Sequence, residues 1–97
     1  MLASFSVIPM GAGESVGDLV AQAVRVVRES GLQNETNAMF TNLEGEWDEV
    51  MGVIRASVEE VAKAVPRVSV MIKLDYRPSS EVGRLTRDVE SIERRLR

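Results

Sequence analysis

The sequence predicts an α+β fold, a ferredoxin-like βαββαβ sandwich with an additional C-terminal helix. Two periodicities predict it: apolar and polar residues alternate in four segments, and apolar residues recur at helical spacings in three others. The order is β-α-β-β-α-β and then a helix, which is typical of an antiparallel sheet with helices on one face. The 97 residues predict a single domain, with a core over 1–77 and the last helix over 81–97.

Four segments have the alternation of strands. The first runs from Leu2 to Ile8, two short ones cover 33–37 and 39–44, and the clearest covers 67–77. One face of the sheet should therefore be apolar and meet the helices, through Phe5, Val7, Val68, Val70, Ile72 and Leu74. Thr41 and Leu43 should turn to the same side. The opposite face is polar.

Three segments have helical periodicity. The first begins near Ser15 and ends before Gly31, and the second begins near Glu46 and is stopped by Pro66. After a polar loop (78–80), the third carries a narrow apolar seam formed by Val82, Leu85, Val89, Ile92 and Leu96. Because so short a chain buries a limited core, this seam favours a homo-oligomer, a dimer or tetramer.

The composition excludes much catalytic chemistry. The chain has no His and no Cys, so it lacks the usual general base, thiolate nucleophiles and thiolate zinc sites. Residues 1–76 carry 6 basic and 11 acidic side chains, which argues against a nucleic-acid partner. No stretch is apolar over the roughly 20 residues that span a bilayer. We expect a cytoplasmic protein that is not an enzyme, with no catalytic residue, metal or cofactor.

The candidate ligand-binding residues centre on the junction of the third strand and the second helix. They are Ser6, Phe40, Asn42, Glu44, Trp47 and Lys73. Glu44 leads because a carboxylate at a strand end on the polar face can meet a cation. Trp47 is either an aromatic wall or, as tryptophans more often are, part of the core. The polar face can equally be a subunit interface, or a solvated surface on which Lys73 pairs with Asp75 or Glu44.

Several segments resemble the small thiamine-binding-protein family. They are 5–9 with Gly11, 30–32, 41–50, 67–68, 72–77 and 89–93, and the most specific is Thr-x-x-Glu-Gly-Glu-Trp at 41–47. The resemblance implies a ferredoxin-like fold, binding of thiamine or a related pyrimidine, and oligomers built through the sheets and the last helix. Two places depart from the family pattern. Ser57 stands where relatives often have His, and Arg87-Asp88 replace a step that more usually contains Lys.

The leading hypothesis is non-enzymatic binding of thiamine or another small polar cation. Ser6, Asn42 and Glu44 would supply polar contacts, and Phe40 or Trp47 the wall. One alternative is a structural or regulatory assembly domain whose polar sheet face is a subunit interface. Another is an enzyme that uses Glu44 as a general base.

Overall fold

A computed structural model describes residues 1–11, 13–78 and 83–97. The elements are β1 (Leu2–Met10), α1 (Val16–Glu29), β2 (Gln33–Thr36), β3 (Thr41–Glu44), α2 (Trp47–Ala62), β4 (Arg67–Asp75) and α3 (Arg84–Arg95). A short 3₁₀ turn at Gly13–Ser15 precedes α1. The predicted fold class is confirmed. The predicted loop residues Ser79 and Ser80 and the seam residue Val82 lie outside the described residues.

All four strands form one antiparallel sheet in the order β2-β3-β1-β4. The two inner strands differ in length: β1 has 9 residues and β3 has 4. The ladder between β1 and β3 therefore ends at the pair Phe5–Thr41, whereas the ladder between β1 and β4 continues to Met10–Arg67. Beyond Phe5, β1 has a neighbouring strand on one side only, as far as the described residues extend.

The turn between β2 and β3 is longer than the alternation predicted. The Oδ1 atom of Asn37 accepts hydrogen bonds from the N–H groups of Met39 and Phe40, both at 2.9 Å. The N–H of Asn37 donates to the carbonyl of Phe40 at 2.9 Å. These local bonds take the backbone groups that a longer strand would have used, so β3 starts only at Thr41.

The core lies between one sheet face and the helices α1 and α2. Phe5, Val7 and Leu43 are buried there, and Thr41 also turns inward as predicted. The helices add the buried residues Leu19, Ala23, Val27, Val50, Ile54 and Val61. Of the predicted apolar residues of β4, Val68 and Leu74 pack against this core. Ile72 is exposed, because β4 is an edge strand of the sheet.

The ends of the helices follow local chemistry. Gly31 adopts a left-handed conformation (φ 83°) just after α1, as its position predicted. α2 ends at Ala62, before Pro66. Its first turn is closed by the N–H of Glu46, which donates to Oε1 of Glu49 at 3.2 Å. Within the described ranges, no helix combines the length and the apolar character needed to cross a membrane.

Candidate functional site

α3 folds back on the polar sheet face and borders an open cavity of about 280 Å³ against it. We call it the charged cavity. Its charged and amide lining consists of Glu35, Asn42, Lys73, Asp75, Arg84 and Asp88, and its apolar lining includes Leu2, Leu85 and Val89. The strand register brings these groups together, since Ser4 of β1 is flanked by Asn42 on one side and Lys73 on the other.

Glu44 fixes the position of α3. Its carboxylate accepts hydrogen bonds from the N–H groups of Gly83 (3.0 Å), Arg84 (3.0 Å) and Leu85 (3.3 Å). These are the N–H groups that the first turn of a helix cannot bond internally, and a carboxylate also complements the positive end of the helix dipole. The residue is only 5% exposed. Glu44 thus lies on the expected face, but it is engaged by protein and does not line the charged cavity.

Arg84 joins α3 to β4. Its Nη2 atom donates to Asp75 at 2.7 Å and lies 3.3 Å from the carboxylate of Asp88. The hydrogen bond from Arg84 lowers the pKa of Asp75, and the same bond raises the pKa of Arg84. Asp75 therefore pairs with Arg84 rather than with Lys73. The Nε and Nη1 atoms of Arg84 are buried and have no hydrogen-bond partner among the described residues.

A carboxylate and an amide face each other across the β2–β3 hairpin. The Nδ2 atom of Asn42 donates to Oε1 of Glu35 at 3.0 Å, as their pairing in the ladder allows. Together with Lys73 they form the wall of the charged cavity that lies opposite α3. This wall offers both hydrogen-bond donors and acceptors to a ligand.

A second cavity, of about 390 Å³, lies where β1 has no described neighbour on the β3 side. We call it the apolar cavity. Its lining includes Ser6, Phe40, the side chains of Met39 and Met71, and part of α1. None of the described lining residues is charged. The candidate residues are thus divided. Asn42 and Lys73 line the charged cavity, Ser6 and Phe40 line the apolar cavity, and Glu44 and Trp47 line neither.

Trp47 is not part of the core, so that prediction is wrong. Its side chain is 47% exposed and packs edge-to-face on Tyr76, with ring centroids 5.7 Å apart. Trp47 occupies the first position of α2, one turn beyond the core, and Val50 is the first fully buried residue of this helix.

Four charged residues of the charged cavity were not among the candidates: Glu35, Asp75, Arg84 and Asp88. Arg84 and Asp88 are four residues apart on one helix, a spacing that often joins opposite charges. That signal was available in the sequence. Their position opposite β4 was not, because it depends on how α3 folds back through Glu44.

Comparison with known proteins places the chain in a family. The sequence profile described as Thiamine-binding protein matches residues 3–93. The chain belongs to the thiamine-binding-protein family. A UPF0045 protein of Mycobacterium bovis is 52% identical over 97 residues, covering 99% of this chain and 94% of that protein. A UPF0045 protein of Methanocaldococcus jannaschii is 36% identical and covers 100% of this chain and 89% of its own length.

Solved structures of relatives share the family fold. A hypothetical protein of Methanocaldococcus jannaschii matches with a TM-score of 0.85 at 36% identity, covering 95% of this chain and 94% of the other. A Bacillus cereus domain of unknown function, DUF77, matches with a TM-score of 0.78 at 37% identity, over 84% and 80% of the two chains. A Thermotoga maritima protein described as a putative thiamine biosynthesis/salvage protein matches with a TM-score of 0.80 over 94% and 96%. At 18% identity, this last likeness shows the fold alone.

Ser57, one of the two places where a departure from the family pattern was expected, lies between the helices. It is fully buried, and its hydroxyl donates to the carbonyl of Ala23 at 3.2 Å. It lines neither the charged nor the apolar cavity. Asp88, from the other departing step, does line the charged cavity. Among the described residues, no group of three or more His, Cys, Asp or Glu side chains is placed to hold a metal ion.

Proposed function

We propose that this protein binds thiamine or a closely related cationic aminopyrimidine in the charged cavity and releases it unchanged. The observation that carries the proposal is the charge of the lining, where three carboxylates face two basic side chains. One of the two basic side chains, Arg84, already forms ion pairs with Asp75 and Asp88. A cation entering the cavity thus meets an excess of negative charge.

The shape and chemistry of the lining support the same class of ligand. The Glu35–Asn42 pair can accept hydrogen bonds from an exocyclic amino group and donate to a ring nitrogen. Leu2, Leu85 and Val89 provide the apolar surface that a flat ring needs. The description of the family as thiamine-binding points to the same vitamin.

The chemistry of the side chains supports binding without catalysis. The chain has no His or Cys, and the carboxylate of Glu44 is occupied by three N–H groups of α3. A carboxylate so engaged is poorly placed to remove a proton from a ligand. Mass spectrometry of thiamine after incubation with the protein should therefore find it unchanged, and a new product would contradict this part of the proposal.

Isothermal titration with thiamine tests the binding. Glu35→Gln keeps the acceptor for Asn42 and removes one charge, so it should weaken binding about five- to tenfold, and Asp88→Asn should act similarly. Glu90→Gln is the matched control, because this exposed α3 residue does not line the cavity. Absence of binding heat with thiamine and its phosphates, or equal affinity in all three variants, would contradict the assignment of the ligand to this cavity.

We propose in addition that the protein is a homo-oligomer, the state that a structural or regulatory assembly domain would also require. The apolar seam of α3 is exposed at Val89, Ile92 and Leu96, and the edge strand β4 exposes Met71 and Ile72. Such surfaces usually meet a partner. Sedimentation should show a dimer or tetramer that Ile92→Glu dissociates and Glu93→Gln leaves intact. A monomer at micromolar concentration would contradict this. The cytoplasmic location also stays a prediction, to be tested by cell fractionation.

A further inference from the structure

The backbone of Val7 faces a place where the sheet lacks a strand. Met1 and Gly45 exchange both of their backbone hydrogen bonds, at 2.9 Å and 3.1 Å. In an antiparallel ladder, the residues that bond to one neighbouring strand alternate along the chain. Every second residue from Met1, and hence Val7, therefore directs its N–H and C=O toward the β3 side. The β1–β3 ladder has already ended there, at Phe5–Thr41.

These two backbone groups need partners. Val7 is buried, with 8% of its surface exposed. A buried N–H or C=O is nearly always hydrogen-bonded to protein, water or a ligand, because leaving it unpaired costs about as much as a lost bond. In the described ranges, no strand lies beside Val7 on that side.

The apolar cavity opens at this edge. Val7 is itself part of its lining. Phe40 offers an aromatic face, and Met39 and Met71 offer flexible thioether side chains that are largely exposed. Because the described lining carries no charged side chain, the cavity suits an uncharged molecule.

A small molecule fits this edge better than an added peptide strand. The next residue that directs its backbone to the same side is Pro9, which has no N–H to donate. The edge therefore presents one complete donor–acceptor pair, at Val7, instead of the row of pairs on which strand addition depends.

We propose that the apolar cavity is a second binding site, which takes a planar, uncharged heterocycle with a cis-amide edge. The N–H of Val7 donates to the carbonyl oxygen of the ligand, and the adjacent ring N–H of the ligand donates to the C=O of Val7. The ring packs on Phe40. This site is separate from the charged cavity, and it does not depend on whether the protein binds thiamine.

Titration of the ¹⁵N-labelled protein with 2-pyridone, followed by amide NMR, tests the proposal. The resonances of Val7 and of the Met39–Phe40 turn should shift in a saturable manner, with a dissociation constant of about millimolar order for so small a ligand. N-methyl-2-pyridone has the same ring and carbonyl but no N–H. It should bind roughly tenfold more weakly or not at all. No saturable shift with 2-pyridone, or equal affinity for the two compounds, would overturn the proposal.

Matched variants locate the site. Phe40→Leu should weaken 2-pyridone binding about three- to tenfold, whereas Trp47→Leu, an exposed aromatic outside the cavity, should not. Asp88→Asn should leave 2-pyridone binding unchanged, because it alters only the charged cavity. An effect of Asp88→Asn equal to that of Phe40→Leu would mean that the ligand sits in the charged cavity, and the apolar site would be rejected. If Phe40→Leu disturbs the whole spectrum, the two ligands with the unchanged protein decide.

Discussion

The carboxylate of Glu44 accepts the N–H of Arg84 at 3.0 Å, joining the end of β3 to the start of α3 across 40 positions of sequence. Among the described residues of α3, Arg84 alone is buried. At its first turn the helix is thus attached by hydrogen bonds to Glu44 and by the ion pair between Arg84 and Asp75, while the seam residues Val89, Ile92 and Leu96 remain exposed.

Removing the Glu44 carboxylate should release α3. Glu44→Gln leaves one acceptor oxygen and turns an amide donor toward the N–H groups of the helix, which should cost about 1–3 kcal/mol. Hydrogen exchange of the backbone amides of residues 84–88 should become much faster. Asp48→Asn, an exposed carboxylate on α2, is the control and should change stability by less than about 1 kcal/mol. Unchanged exchange in α3 would show that other contacts hold the helix.

The Asp75–Arg84 pair should give the attachment of α3 a dependence on acid pH. Arg84 lowers the pKa of Asp75 below its ordinary 3.8. The pKa of Asp75 is lower in the folded state than in the unfolded chain, so ionised Asp75 stabilises the folded state. This stabilisation is complete above about pH 3.8 and is lost as the pH falls through the lower pKa of the folded state. NMR titration of the Asp75 carboxyl should show a higher pKa in Arg84→Met. Arg94→Met, at the exposed end of α3, should leave the Asp75 titration as it is; an equal shift in both would rule out the specific pair.

Ser57 should support the helix pair rather than the ligand. Its hydroxyl bonds to the carbonyl of Ala23 between α1 and α2, so Ser57→Ala should lower the free energy of unfolding by about 0.5–1.5 kcal/mol. Because Ser57 lines neither cavity, thiamine affinity in calorimetry should stay the same. A loss of affinity in a variant of near-native stability would show that position 57 influences the site.

Leu43 should be among the most sensitive core positions. It is fully buried on β3, and Leu43→Ala should destabilise the fold by about 2–5 kcal/mol through lost burial and the remaining cavity. Urea unfolding is the measurement, with the midpoint lowered. Met39→Ala, in the preceding turn and 73% exposed, should shift the free energy of unfolding by no more than about 0.5 kcal/mol. Similar losses in both variants would contradict the assigned core.

Sequence periodicity was sufficient to predict the order and type of the elements of this fold. It also predicted the sheet side of the charged cavity, but not the side that α3 forms. Alternation placed Asn42 and Glu44 on the sheet face opposite Thr41 and Leu43, as the structure has them, because a strand has a strict period of two. It could not indicate that Glu44 would be taken by the backbone of a helix 40 positions away, since that bond is set by tertiary structure.

The remaining differences have the same kind of cause. Trp47 fits the apolar face of α2 by spacing, yet it lies at the exposed start of the helix. The first buried residue of α2 is Val50, about one turn later. The open edge of β1 arises because the side chain of Asn37 accepts hydrogen bonds from the N–H groups of Met39 and Phe40, so that β3 begins later in the chain. Both outcomes depend on where an element begins, which periodicity determines least well.

The way in which Glu44 holds α3 has an evolutionary consequence. The three groups that it binds are main-chain N–H groups, which almost every amino acid possesses. Substitutions along the outer surface of the helix can therefore accumulate while its location persists. The exposed residues of α3 are therefore free to change during evolution without disturbing the sheet beneath it, so long as Glu44 at the end of β3 and the ion pair between Arg84 and Asp75 are retained.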